Sequence, residues 1–309
     1  MRRHILRNPG SPSGRRGVPR LTRERKGTRR NSMIGNTASN IKRVGVIGAG
    51  RMGQPIIGHL ARKGFAVCVH DIDSGKRKSV EERGARWLAD PAALAREAEA
   101  ILICVGYDRE LRELLSDRGL LKHIRRGVIV AILSTVQPGT VRELARDAGE
   151  LGIHVVDATV CRGGWAADEG TLLSFVAGAA EIVERLRPVL AAYSSDIVPT
   201  GDIGSAQVAK AVNNMMMWAC LVADHEALAL AQRHGLDVEM LRKALLTTHS
   251  TNGALENWGK QTMAWADDDM EIVAAMAKEC GITLRQAAAV QEICRTLKPM
   301  RFQLDKYGT

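Results

Sequence analysis

The chain has 309 residues, with 44 lysine and arginine against 34 acidic side chains, and its formal charge is +10. The excess is confined to residues 1–40, which hold eleven basic side chains and one acid, whereas residues 41–309 hold 33 of each sign. We therefore expect no basic groove for nucleic acid on the folded part of the chain. The 45% hydrophobic fraction is typical of a globular protein, and no apolar run approaches the ~20 residues of a membrane-spanning helix, so no membrane partner is expected.

Residues 1–40 are predicted to form a disordered basic leader, because they lack hydrophobic periodicity and are rich in Arg, Gly, Pro and Ser. Three interpretations are open: an arm that binds nucleic acid or membranes, an Arg-rich transit peptide, or sequence upstream of a translation start at Met33. We favour the start at Met33.

Six scattered cysteines without a CxxC spacing indicate free thiols in a reducing compartment, and the expected location is cytoplasmic.

Short apolar strands alternate with helices from residue 41 to about residue 201. Strands are predicted at 44–47, 66–69, 100–105, 128–133, 153–156, 172–176 and 196–198, and helices at 52–63, 75–83, 91–97, 109–115, 138–150 and 180–193. This alternation indicates an α/β fold with a doubly wound parallel sheet of the Rossmann type, covered by helices on both faces.

The strand signal stops at about residue 201, and the remaining chain is helical, beginning with a helix of nearly thirty residues at 206–234. We predict three parts. They are the leader (1–40), the α/β domain (41–201) and an all-helical domain for substrate binding and dimerisation (202–309).

A glycine-rich loop follows the first predicted strand and opens the first helix, with the sequence Gly48-Ala49-Gly50-Arg51-Met52-Gly53. In this context a GxGxxG pattern binds a dinucleotide, because its glycines permit a tight turn, close approach of the pyrophosphate and close packing of the helix. The phosphates are expected at the helix N-terminus. Asp71, 23 residues after Gly48, is expected to accept hydrogen bonds from the adenosine ribose, and its carboxylate repels a 2′-phosphate. We therefore predict that residues 41–201 bind NAD in preference to NADP.

Lys210 and Asn214 lie four residues apart on one face of the long predicted helix. The segment that contains them, residues 201–214, resembles the catalytic helix of the β-hydroxyacid dehydrogenase family. Three further stretches match motifs of that family: the glycine-rich loop with Met52, Ser134-Thr135 followed by Pro138, and residues 157–164 followed by Gly170-Thr171-Leu172. The resemblance extends over about residues 42–285, in the order that the family has.

The resemblance implies an NAD(P)-dependent oxidoreductase that transfers hydride between a small anionic β-hydroxy acid and its aldehyde or keto-acid partner. It implies Lys210 as the general acid and base, Asn214 as the group that holds the substrate hydroxyl, and cofactor contacts at Val105 and Thr135. It also implies a homodimer or homotetramer. No metal site is expected, since the eight histidines include no HxxxH or HxH spacing.

Two positions depart from the family pattern. The resemblance places the substrate carboxylate against Cys161, Arg162 and Gly163, where the family has Ser-Gly-Gly; the Arg162 guanidinium either clamps an anionic group or faces solvent. Asp268 stands where the family has a lysine near the nicotinamide, although Asp269 beside it matches the family's aspartate. An acid there suits a cationic imine, so an imine reductase is one alternative function. A non-catalytic dinucleotide-binding module is the other.

Overall fold

The computed structural model describes residues 41–106, 108–116 and 119–308. The basic leader, and with it the choice among its three interpretations, lies outside the described residues. Within the described ranges, eight strands form one sheet: β1 (Arg43–Ile47), β2 (Ala66–His70), β3 (Arg86–Trp87), β4 (Ala100–Ile103), β5 (Ile129–Ile132), β6 (His154–Cys161), β7 (Leu172–Ala177) and β8 (Ser194–Gly201).

Helices connect these strands and cover the sheet. In the described residues before β8 they are α1 (Gly53–Arg62), α2 (Arg77–Glu82), α3 (Pro91–Glu97), α4 (Asp108–Leu115), α5 (Pro138–Glu150), α6 (Gly163–Glu169) and α7 (Ala180–Leu190). The expected α/β alternation is confirmed, and the bounds of α3 and α5 are the predicted ones. The two-residue strand β3 and the short helix α6 were not predicted.

The sheet has the strand order β3-β2-β1-β4-β5-β6-β7-β8. Strands β1 to β6 are parallel, as a doubly wound fold requires. The sheet departs from the expected parallel arrangement at β7, which runs antiparallel to β6, and β8 then pairs parallel with β7. Ten residues separate β6 from β7. A parallel crossover needs a dozen or more residues, so this short connection returns the chain in the opposite direction.

Alternate residues of the central strands supply two separate cores, one on each face of the sheet. In β4, Ala100 and Leu102 pack with α1 residues on one face, whereas Ile101 and Ile103 pack on the other. All four side chains are completely buried. The strands are therefore continuously apolar rather than alternating, which is the pattern of a parallel sheet buried on both sides.

The part of the chain after β8 is helical throughout its described residues. Its helices are α8 (Ser205–Arg233), α9 (Val238–Leu245), α10 (Gly253–Glu256), α11 (Ala266–Glu279) and α12 (Arg285–Leu297). α8 begins against β6, β7 and β8 and then packs with α10, α11 and α12 around Trp218, Met270 and Val290. The change from strands to helices falls beside residue 201, and the division into two domains there stays a prediction. In the described residues, no helix is both long and apolar enough to cross a membrane.

Candidate active site

Two glycines of the glycine-rich loop lie too close to other backbone atoms to carry a side chain, whereas the third has free space around it. Gly48 turns the chain out of β1 with a φ of +100°, and a Cβ there would overlap the Cys104 carbonyl oxygen after β4. A Cβ at Gly53 would overlap the Gly48 carbonyl oxygen, so α1 begins in contact with the turn. At Gly50 a Cβ would meet no atom within 4 Å. This open position is where a pyrophosphate group can approach the backbone.

The N-terminus of α1 has the features of an anion site. Met52 is the N-cap residue of α1, and its side chain accepts no hydrogen bond from the backbone N–H groups of the first turn. That turn also contains no acidic residue. The N–H groups of that turn and the helix dipole favour a negative charge. These residues therefore fit a dinucleotide phosphate.

Arg51 links the glycine-rich loop to the segment after β6. Its guanidinium donates two hydrogen bonds to Asp168 of α6, at 2.9 and 2.6 Å. It also lies over the backbone of Gly164, where a Cβ would come within 2.6 Å of the guanidinium carbon. The hydrogen bonds from Arg51 are the largest influence on the pKa of Asp168 and lower it. The Arg51–Asp168 pair thus connects the glycine-rich loop with the segment after β6.

Asp71 follows β2 as a buried carboxylate with three partners. It accepts backbone hydrogen bonds from Ala49 at 2.7 Å and from Asp73 at 2.9 Å, and the Lys76 ammonium lies 3.1 and 3.0 Å from its two oxygens. Burial is the largest single influence on the pKa of Asp71 and raises it, but the hydrogen bonds and Lys76 together hold the pKa below its usual value. Asp71 is thus an ionised acceptor. The sequence analysis did not identify Lys76, because Lys76 is one of three consecutive basic residues. Only its contact with Asp71 in the fold distinguishes it from the other two.

The ends of β4 and β5 lie next to the glycine-rich loop. The Ser134 hydroxyl donates to the Val105 carbonyl at 2.8 Å, and the half-buried Thr135 follows it. Because β1, β4 and β5 are parallel, Gly48, Val105 and Thr135 share the carboxyl edge of the sheet. Ligands of doubly wound folds bind at this edge.

Buried hydrogen bonds attach the first turn of α8 to the sheet. Asp157, fully buried in β6, accepts from the Gln207 backbone N–H at 3.1 Å and from the Gln207 side-chain amide at 2.8 Å. That amide also donates to the Ser134 carbonyl at 3.0 Å, and the Thr159 hydroxyl donates to the Ala206 carbonyl at 3.1 Å. These bonds fix the rotation of α8 relative to the end of β6.

Lys210 and Asn214 then lie together with Cys161 from β6 and Asp269 from α11. The buried Asp269 carboxylate accepts a 2.9 Å hydrogen bond from the Trp218 indole, and the polar Asn214 side chain beside it lowers the pKa of that carboxyl. The Asn214 amide oxygen accepts a 3.0 Å hydrogen bond from the Asn213 side chain. Burial raises the pKa of both Cys161 and Asp269, and the charge of the half-buried Lys210 opposes this for each. We name these four residues, Cys161, Lys210, Asn214 and Asp269, the α8 cluster. It combines an ammonium, an amide, a thiol and a carboxylate.

Three acids lie in the first turn of α11. Asp269 belongs to the α8 cluster, Asp267 pairs with Arg295 at 2.9 Å, and Asp268 makes no hydrogen bond or ion pair with the described residues. Asp268 is half-buried, and its charge adds to the rise of the Asp269 pKa. Asp269 was recognised in the sequence only as a match to the family's aspartate. Its contact with Trp218 depends on the packing of α11 against α8, which no local pattern predicts.

The Arg162 side chain points along the sheet towards β7 and β8. Its guanidinium pairs with Asp196 at 2.7 Å and donates to the Ser195 hydroxyl at 2.9 Å and the Thr171 carbonyl at 3.0 Å. The Arg162 backbone is left-handed, with a φ of +83°, and Gly163 follows with a φ of +77°. The guanidinium is therefore already occupied by an acid of this chain, while the backbone of Cys161 to Gly163 turns at the end of β6 beside the α8 cluster.

Two family models together match nearly all of the described chain. Residues 43–201 match the NAD-binding domain of 6-phosphogluconate dehydrogenase, and residues 204–303 match the NAD-binding model of NADP-dependent 3-hydroxyisobutyrate dehydrogenase. With the Rossmann-type sheet and its open glycine-rich loop, these matches define a nicotinamide-dinucleotide-dependent oxidoreductase. The chain belongs to the β-hydroxyacid dehydrogenase family.

Two relatives come from Pseudomonas aeruginosa. Its 3-hydroxyisobutyrate dehydrogenase is 32% identical, over 80% of this chain and 86% of the relative. Its NAD-dependent L-serine dehydrogenase is 30% identical, over 81% of this chain and 86% of the relative. The solved structure of Mycobacterium tuberculosis 3-hydroxyisobutyrate dehydrogenase with L-serine aligns with a TM-score of 0.76 at 22% identity, covering 84% of this chain and 94% of that one. This last likeness shows the fold.

Proposed function

We propose that this protein oxidises a small anionic β-hydroxy acid to its aldehyde or keto acid, or catalyses the reverse reduction. The observation that carries the proposal is the α8 cluster, in which Lys210 and Asn214 stand beside the end of β6, on the same sheet edge as the glycine-rich loop. The substrates in the names of the two Pseudomonas relatives, 3-hydroxyisobutyrate and L-serine, are both small β-hydroxy acids.

The cofactor would lie across the carboxyl edge of the sheet. The turn from Gly48 to Gly53 would hold the pyrophosphate at the start of α1, Asp71 would accept bonds from the adenosine ribose, and Val105 and Thr135 would border the nicotinamide half. When bound, the nicotinamide accepts hydride from the alcohol carbon or donates hydride to the carbonyl carbon. Because Asp71 is an ionised, buried acceptor, we propose NAD as the preferred cofactor.

The α8 cluster supplies the proton chemistry of this reaction. Lys210 takes the hydroxyl proton as the alcohol is oxidised, and in the reverse direction its ammonium stabilises the developing alkoxide and returns the proton. The Asn213 side chain donates to the Asn214 amide oxygen at 3.0 Å, so the Asn214 amide N–H groups would be the donors available to Asp269 and to the substrate oxygen. The backbone N–H groups of Cys161, Arg162 and Gly163 would bind the substrate carboxylate.

We further propose a homodimer or homotetramer formed through the helical part, in the cytoplasm, without a nucleic-acid partner. The support for the assembly is the exposed apolar surface of α8, where Val212 is 45% and Met216 is 61% exposed. The support for the absence of a nucleic-acid partner is the balanced charge of residues 41–309.

Lys210→Ala tests the function. We expect the turnover number for alcohol oxidation to fall by about 10²–10⁴-fold, because the variant lacks the group that takes the proton. Titration of protein fluorescence with NAD should give a dissociation constant within about threefold of the original, since the residues that hold the cofactor remain. Lys243→Ala, which removes a lysine that is 70% exposed on α9, is the matched control and should keep full activity.

Activity that survives Lys210→Ala within about tenfold would contradict the role of Lys210. A panel of hydroxy acids, their aldehydes and a cyclic imine separates the alternatives. Reduction of the imine alone would favour an imine reductase. Cofactor binding without turnover of any panel member would favour the non-catalytic module.

A further inference from the structure

Arg162 has an unusual backbone conformation for its residue type. Its φ of +83° and ψ of +3° lie in the left-handed region, and among the described residues other than glycine only Phe302 also has a positive φ. A Cβ atom makes this conformation unfavourable, and the family pattern has glycine at this position. Residues held in such conformations concentrate at binding and active sites, where the surrounding structure compensates for the strain.

The Arg162 side chain supplies this compensation through one nitrogen atom. Nη1 lies 2.7 Å from the Asp196 carboxylate, 2.9 Å from the Ser195 hydroxyl oxygen and 3.0 Å from the Thr171 carbonyl oxygen. Arg162 and Thr171 are the first and last residues of the connection between β6 and β7, so their hydrogen bond closes that connection at its base. The other two contacts attach the same point to β8.

Strand β8 is irregular where it meets Arg162. The register between β7 and β8 shifts beside Leu173, so that the pairing passes over Ser195. Successive side chains of a regular strand point to opposite faces of the sheet. An extra residue bends the strand and redirects its side chains, and here both the Ser195 hydroxyl and the Asp196 carboxylate reach Nη1. The irregularity thus gives the guanidinium two neighbouring acceptors on one strand.

The left-handed turn begins where β6 reaches the proposed substrate site. Asp157, Thr159 and Cys161 share one face of β6, and the first two hydrogen-bond with the first turn of α8. Cys161 therefore lies on the α8 side, beside the next turn of that helix, which carries Lys210. A shift of the backbone at Arg162 would move the adjacent N–H groups relative to Lys210.

We propose that Arg162 is a positioning residue, whose side-chain contacts with β7 and β8 hold the left-handed turn that binds the substrate carboxylate through its backbone. The proposal rests on the proposed function, which places that carboxylate at the N–H groups of residues 161–163. The guanidinium itself does not contact the substrate. Because the turn holds the carboxylate end and not the reacting carbon, the ion pair with Asp196 affects how tightly the hydroxy acid binds and not how fast hydride is transferred.

Removal of the Asp196 carboxylate distinguishes this role from a direct clamp on the substrate. Asp196→Ala releases the guanidinium, so a clamp would gain substrate affinity, whereas a positioning residue would lose its anchor. With 3-hydroxyisobutyrate and saturating NAD, we expect KM to rise about tenfold in Asp196→Ala and in Arg162→Ala, with kcat within about threefold of the original. The double variant should raise KM little more than Arg162→Ala does, because both changes remove the same contact.

Two further variants complete the kinetic test. One nitrogen makes all three contacts, and a lysine ammonium has three donors, so Arg162→Lys should keep KM within about threefold of the original. Arg187→Ala is the matched control, because the Arg187 side chain is 38% exposed and pairs with Glu184 on α7, while the Arg162 side chain is 37% exposed. It should leave KM unchanged. An equal rise of KM in Arg187→Ala would overturn the specific role of Arg162.

Amide hydrogen exchange of the full-length protein tests the anchored turn without a substrate. Residues 162–171 should exchange about tenfold faster in Asp196→Ala and Arg162→Ala than in the original, whereas residues 180–190 of α7 should not change. Unchanged exchange of residues 162–171, or a KM that stays the same or falls in Asp196→Ala, would overturn the positioning role and leave the proposed function intact. Faster exchange in a protein that oxidises no hydroxy acid would support the anchored turn and contradict the proposed function.

Discussion

The ion pair between Asp71 and Lys76 changes how the acid after β2 acts on the cofactor. An isolated carboxylate there repels a 2′-phosphate and selects NAD. In this protein the Lys76 ammonium lies within 3.1 Å of both carboxylate oxygens, and the Lys76 side chain is 30% exposed. It is therefore free to turn towards a phosphate, so we expect NAD to be preferred and NADP to be tolerated.

Lys76→Ala should sharpen this preference. Without the ammonium, Asp71 meets a 2′-phosphate with an uncompensated charge, and the ratio of kcat/KM for NAD to that for NADP should rise about tenfold, which corresponds to about 1.4 kcal/mol. Steady-state kinetics with both cofactors measures the ratio. Lys78→Ala, which changes a lysine that is 88% exposed on α2, is the control. An unchanged ratio in Lys76→Ala would show that Lys76 takes no part in cofactor selection.

At the scale of elements, the junction between β6 and α8 determines whether the site can form. Asp157 and Gln207 meet there in a buried network that also reaches the end of β5. Burial raises the pKa of Asp157 to about 6, although the hydrogen bonds from Gln207 oppose that rise. The folded protein therefore holds this carboxyl proton at a pH where the unfolded chain, with an ordinary pKa near 3.8, has released it.

The sign of the resulting pH dependence follows from proton binding. Between about pH 4 and pH 6 the folded state binds more protons at Asp157 than the unfolded state, so this group destabilises the fold progressively as the pH rises, by roughly 2–3 kcal/mol in total.

Asp157→Asn removes the titration but also removes one acceptor for Gln207. The variant should be less stable at pH 4.5 and should regain roughly 2 kcal/mol relative to the original by pH 7. Urea unfolding across this range measures the difference, with Asp202→Asn in the exposed turn before α8 as control. A difference that is constant with pH would contradict the assignment.

The elements that follow local rules were predictable, and those set by packing were not. The turn at Gly48, the start of α1 and the length of α8 depend on residues adjacent in sequence, and the sequence analysis anticipated them. The reversal of β7 depends on the short connection through α6. The ion pair of Arg162 with Asp196 depends on where β8 then lies, so a guanidinium expected at an anion or in solvent is held by the protein itself.

The same distinction applies to the candidate site. Lys210 and Asn214 were identifiable because helical spacing brings them together and the surrounding segment resembles a known catalytic helix. The sequence analysis assigned no role to Lys76 or Asp269. Lys76 contacts Asp71, and Asp269 contacts Trp218, only because of how the chain folds. The influence of the Lys210 charge on Cys161 likewise needs β6 and α8 in place.

For the whole molecule, the distribution of charge and apolar surface indicates how copies of the chain would associate. Residues 41–309 carry no net charge, so long-range attraction contributes little to association. Val212 and Met216 lie one turn apart on α8, and Ile282 is 55% exposed. A groove of about 290 Å³ separates Met216 from the start of α12. Large exposed side chains grouped in this way are typical of a surface that another chain covers.

Met216→Lys should therefore lower the mass of the particle in solution. A lysine ammonium in the centre of a helical interface loses its hydration, at a cost of a few kcal/mol for each copy, which is enough to dissociate a dimer at micromolar concentration. Light scattering coupled to size exclusion measures the mass. Leu151→Lys, at a 44% exposed position after α5, introduces the same charge on the other part of the molecule and should leave the mass unchanged. Equal masses for the original protein and Met216→Lys would place any contact between copies elsewhere. Loss of mass in both variants would instead indicate a general effect of added charge.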